Sequence, residues 1–139
     1  MSARNKLPGS IPVRLVWMGV IALLLVSLAG CRTAPIKDVE RAPIPPGATE
    51  EQVQKAILEA GASLGWGMKV KRPGLIFANL SLRSHLAEVE IPYTRSRYSI
   101  LYKGSSRLKY DPAKRTIHSN YNGWIQNLDA AIRSRLALL

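Results

Sequence analysis

The densest gathering of reactive side-chain types is Ile117-His118-Ser119-Asn120-Tyr121-Asn122-Gly123-Trp124: an imidazole, a hydroxyl, two amides, a phenol and an indole in eight residues. Aromatic faces mixed with amide and imidazole hydrogen-bonders hold sugars and orient peptides. His118, Asn120, Tyr121, Asn122 and Trp124 are therefore candidate binding residues. The same residues have a structural use, and it is the favoured expectation. Asn120 is placed to cap a helix, Tyr121 and Trp124 to pack on a sheet, and His118 and Asn122 to fasten the turn.

Catalytic constellations find little support. Ser84, Ser99, Ser105, Ser106 and Ser119 all stand outside any Gly-x-Ser-x-Gly elbow. A carboxylate pair would have to come from Glu88, Glu90, Asp111 or Asp129. Glu88 and Glu90, about 7 Å apart on one strand face, more naturally share a solvated surface with Lys69 and Lys103. His85 and His118 are the only histidines, and neither sits in a His-x-x-x-His or Cys cluster. No metal, no cofactor and no enzymatic activity are expected. His85 is expected simply to end a strand.

The single cysteine, Cys31, rules out an intramolecular disulfide. It follows Leu28-Ala29-Gly30 at the end of an apolar run, Leu15–Ala29, of 15 residues. That run is shorter than the ~20 residues of a membrane span. Arg4, Lys6 and Arg14, with no acid, precede or open it. This is the layout of a cleaved export signal. Leu28-Ala29-Gly30-Cys31 resembles the lipobox of bacterial lipoproteins, in which the chain is cut before the Cys and the thiol carries lipid such as palmitate. That resemblance implies a membrane anchored to Cys31. Arg32, where an Asp would favour inner-membrane retention in that family, implies the outer membrane, with the protein facing the periplasm.

The positive charge survives removal of the signal. Of 20 Lys and Arg, 17 remain against 9 Asp and Glu, a formal +8. Such a balance favours anionic partners. For an exported chain these are an anionic envelope component or an envelope protein, and nucleic acid is not expected. Lys69, Lys71, Arg95, Arg97 and Lys103 are the candidate contacts, since strands and turns would bring them to one face and rim.

Three segments follow: residues 1–30 as signal, 31–48 as lipidated Cys and Pro-rich tether, and 49–139 as a single domain. Pro35, Pro43, Pro45, Pro46 and Gly47 and the lack of an apolar period predict an extended tether. At ~3.1 Å per residue it would reach roughly 50 Å. The alternative is that Ile36, Val39 and Ile44 dock on the domain.

Thr49-Glu50-Glu51-Gln52 is a capping-box pattern, and Val53, Ala56, Ile57, Ala60 and Leu64 make one helical stripe. A helix is predicted from about Glu50 to Ser63. Period-two runs at Trp66-Met68-Val70, Ala87-Val89-Ile91 and Tyr98-Ile100-Tyr102 predict strands with those residues on the core face. Leu75–Leu82 is apolar on both parities, and Tyr121, Trp124, Ile125, Leu128, Ile132 and Leu136 stripe a last helix. The predicted fold is α+β: a two-layer sandwich, α-β-β-β-(β)-α. It has an antiparallel sheet of three or four strands and two helices on one face.

The order of capped helix, Gly65-Trp66, the Ala87–Ile91 strand, Tyr98–Tyr102, Ser106–Tyr110 and Ile117–Trp124 resembles a group of small, uncharacterised proteobacterial lipoproteins. The pattern departs at Gly123, where that group carries a larger residue, often Arg. The resemblance implies location and fold and no catalytic residue. The expected function is a noncatalytic binding or adaptor module of the cell envelope. The alternative is a small envelope enzyme or inhibitor using the His118–Trp124 loop. It would need a deep pocket joining that loop to Glu88, Glu90 or Asp111.

Overall fold

In a computed structural model of the chain, residues 32–139 and Gly9 are described. The expected signal and the expected lipidation site, Cys31, lie outside them.

The first helix forms as its sequence predicts. Thr49 Oγ1 accepts the Gln52 N–H at 3.2 Å, and Gln52 Oε1 accepts the Thr49 N–H at 2.9 Å. This reciprocal box starts α1, Glu50–Ser63, with Glu50 and Glu51 at the positive end of its dipole. Gly65, at φ +82, ends it, because a left-handed residue there lets the Trp66 N–H turn back to the Gly61 carbonyl at 3.0 Å. Gly61 lets Met68 pack closely, since a β-carbon there would displace the Met68 side chain.

The chain then runs through β3, Gly67–Arg72, β4, Leu75–Leu82, β5, His85–Pro92, and β6, Arg97–Ser106, as an antiparallel meander. Ile76 pairs with Ile91, Ala78 with Val89 and Leu80 with Ala87, so the facing of Leu75–Leu82 resolves to its even residues. The odd residues Leu75 and Phe77 are half-buried on the other face. α2, Ser119–Leu136, lies beside α1, and both cover the inner face with Val53, Ile57, Ile125, Leu128 and Ile132. Most of the expected core face is buried. Val70 is the exception at 38% exposed, because β3 is an edge strand that the helices cover incompletely. Met68 and Tyr102 are half-buried against the core.

Two expectations are corrected. The sheet has five strands, in the order β2 (Val39–Pro43), β6, β5, β4, β3, and a second sheet pairs β1 (Thr33–Pro35) with β7 (Thr116–His118). The extra strands come largely from the segment expected to be a tether: β1 is Thr33–Pro35, and β2 is Val39–Pro43. β1 pairs with β7, Thr116–His118, and β2 with β6. Docking of Ile36, Val39 and Ile44 is the arrangement found. Ile44 is buried and the other two pack against the core. Burying a side chain like Ile44 stabilises by about 1.5–3 kcal/mol. With strand pairing, it offsets part of the conformational entropy that a free linker would keep. Pro35 and Pro43 sit at strand ends, where no ladder hydrogen bond is lost. Arg32–Leu139 is thus one compact unit.

The sheet has two distinct ends. The Arg83-Ser84 turn and the exit of β6 share one. The chain enters there too. The Ser119 N–H donates to the Arg32 carbonyl at 2.7 Å, and the His118 N–H donates to Leu108 just past β6 at 2.8 Å. The Pro73-Gly74 and Thr94–Ser96 turns occupy the opposite end.

Candidate functional site

The His118–Trp124 candidates sit where β7 passes directly into α2, and two of their polar side chains, His118 and Asn122, are engaged with backbone. His118, not Asn120, is the N-cap: its Nδ1 accepts the Asn120 N–H at 3.2 Å. The expectation for Asn120 is two residues late because the short strand runs to His118 and leaves no loop before the helix. Asn120 itself is exposed.

Asn122 is 7% exposed and joins two parts of the fold. Its Nδ2 donates to the Pro35 carbonyl at 2.8 Å, and its Oδ1 accepts the Lys37 N–H at 3.0 Å. It therefore holds the β1–β2 connection against the start of α2, supplying partners to backbone groups that no strand satisfies. Tyr121 is 1% exposed and meets the Tyr102 ring edge-on at 5.7 Å. Tyr110 folds back on Tyr102 at 4.5 Å. Burial pushes the Tyr121 phenol well above its ordinary range, and the nearby Asp38 carboxylate adds to this. Tyr98 is raised likewise, first by burial and then by its hydrogen bond to Asp129. Trp124 is half-buried against Trp66 and Leu80. A β-carbon at Gly123 would meet nothing within 4 Å.

His85 lies at an end of a strand, as the first residue of β5, and its Nδ1–H donates to the Arg107 carbonyl at 2.9 Å. Glu88 and Glu90 lie on the outer face. Glu90 pairs with Lys103 at 3.1 Å, and the Glu88 carboxylate lies over Gly104. Neither the 490 Å³ cleft nor the neighbouring 620 Å³ depression is lined by Glu88, Glu90, Asp111 or any residue of the His118–Trp124 loop. Among the described residues, no three His, Cys, Asp or Glu side chains gather as a metal site would need. No helix among them is long and apolar enough to cross a membrane.

The basic candidates do not form one patch. Lys69, Lys71 and Lys103 are exposed on the outer face and its β3 edge, and the Lys71 ammonium stands 6.0 Å from the centre of the Phe77 ring. Arg95 and Arg97 belong to the far end, at the β5–β6 turn. A third set, Arg83, Arg107 and Lys109, belongs to the end where the chain enters, and all three hold left-handed φ values of 53 to 57. Arg41 escaped sequence reasoning because it fell in the expected tether. It stands on a β-bulge of β2 at φ 51. The signal that could have revealed it is the weak alternation of Val39, Ala42 and Ile44, broken by that bulge. Neither the scan against family models nor the searches of curated proteins and solved structures found a match to this chain.

Proposed function

We propose that the protein is a noncatalytic binding or adaptor module of the cell envelope, held to the outer membrane by lipid on Cys31 and facing the periplasm. The observation that carries this reading is the start of the folded chain. Strand pairing begins at Thr33, two residues after Cys31, and Arg32 is already fixed to Ser119. A lipid on Cys31 would therefore hold the domain close to the bilayer, with Arg32, Arg83, Arg107 and Lys109 at the adjacent end for anionic headgroups. Each basic residue near such a surface contributes about 1 kcal/mol. A noncatalytic role is supported by the engagement of His118 and Asn122 in capping and clamping.

Metabolic labelling with palmitate tests the reading. Wild-type protein is expected to take up label and fractionate with the outer membrane, and Cys31→Ser to lose both. Label retained in Cys31→Ser, or wild-type protein in the inner membrane, overturns it.

A further inference from the structure

At the end of the sheet away from Arg32, a cleft of about 490 Å³ opens among β2 and the β3–β4 and β5–β6 turns. Three arginines line it, each from a different strand: Arg41 of β2, Arg72 at the end of β3 and Arg97 at the start of β6. Glu50 is the one acid in the lining, which leaves the cleft at a formal +2. Four acids are paired with bases elsewhere: Asp38 with Arg115, Glu59 with Lys55 and Arg135, Glu90 with Lys103 and Asp129 with Arg133. None of the ion pairs among the described residues includes Arg41, Arg72 or Arg97.

Arg41 adds an independent observation. Its left-handed backbone suits glycine, yet an arginine stands there. The bulge is fixed by the Arg41 N–H, which donates to Ser99 Oγ at 2.9 Å, and Ser99 also lines the cleft. Strained positions gather where a side chain must be aimed at a ligand. Three like charges gathered against a single acid favour an anion, and planar guanidinium forks match its oxygens two at a time.

We propose that Arg41, Arg72 and Arg97 form a binding site for a phosphate-type dianion, borne by a soluble or polymeric envelope molecule and not by the bilayer that anchors the chain. The volume leaves room for the group that carries the phosphate. Placement decides the source. The eight residues of β5 separate the cleft from the end where the chain enters by roughly 25 Å. That is well beyond the ~8 Å screening length at physiological salt. The site deepens the binding-module reading and rests on it for the anchored end alone.

The test uses the full lipidated chain in zwitterionic micelles, titrated with inorganic phosphate and followed by amide chemical shifts. Saturable shifts are expected at Arg41, Arg72–Gly74 and Thr94–Ser99. Arg72→Gln and Arg97→Gln should each weaken binding about tenfold, the loss of one charge-assisted hydrogen-bonding group. Lys69→Gln should not. Arg41→Gly separates binding from folding: it should raise the thermal midpoint while weakening phosphate binding about tenfold. Wild-type affinity in Arg41→Gly, or no saturable shift, overturns the site. In a second arm, chain anchored in discs containing phosphatidylglycerol, without phosphate, should show unshifted cleft amides. Shifts there would mean a headgroup ligand and overturn the proposed source. Failure of phosphate binding would leave palmitate labelling and fractionation untouched, so the two readings fail separately.

Discussion

Asn122 does at residue scale what the Pro-rich segment could not do for itself. One amide satisfies a carbonyl and an N–H on either side of Ile36, both from backbone that leaves one strand before entering the next. Removing it strands both groups, so Asn122→Ala should cost about 2–3 kcal/mol in urea unfolding. His118→Ala should cost about 1 kcal/mol through the lost cap, and Asn120→Ala should be nearly neutral, in the same measurement. The opposite ranking would return the cap to Asn120.

The buried phenols set an alkaline limit. Tyr98 and Tyr121 are raised above the ordinary 10.0, by burial first. In the unfolded chain they ionise near 10, while the folded chain keeps the proton. The folded state thus binds more protons above pH 10, and stability, fully present below that pH, falls as pH rises further. Tyr121→Phe should flatten that fall with little change at pH 7. An unchanged alkaline slope would contradict this account of Tyr121.

At the scale of elements, legibility followed how local the determinants are. α1 was readable to its ends because the capping box, stripe and terminal glycine all lie within the segment. β5 was readable from strict alternation over a buried face, and β6 from the Tyr98-Ile100-Tyr102 period. β1 and β2 were not. Their pairing partners lie more than fifty residues away, their prolines resemble linker composition, and the Arg41 bulge breaks the period. The candidate site suffered in the same way. Residue types in the His118–Trp124 loop were plain, but their engagement with Pro35 and Lys37 is a tertiary fact. Limited trypsin digestion separates a paired strand from a tether. Lys37 and Arg41 should resist cleavage until global unfolding. Early cuts there would restore the tether.

At the scale of the whole molecule, the charge has direction. The formal +8 of residues 31–139 is distributed among an end near Arg32, an outer face and a far cleft. If Cys31 carries lipid, the absence of slack before Thr33 turns this distribution into an orientation. The near end would then meet headgroups, and the arginine cleft would point into the space beyond. Because Cys31 is the only cysteine, a second one introduced elsewhere offers a unique thiol in the lipidated protein. Ser84 and Ser96 are exposed turn residues at the two ends, so Ser84→Cys and Ser96→Cys report them separately. The most direct measurement is quenching of a fluorophore on each thiol by a paramagnetic headgroup lipid, with the protein anchored in vesicles. Strong quenching at position 84 and little at 96 is the predicted result. Equal quenching at both, or stronger quenching at 96, would contradict a domain held by its near end against the membrane.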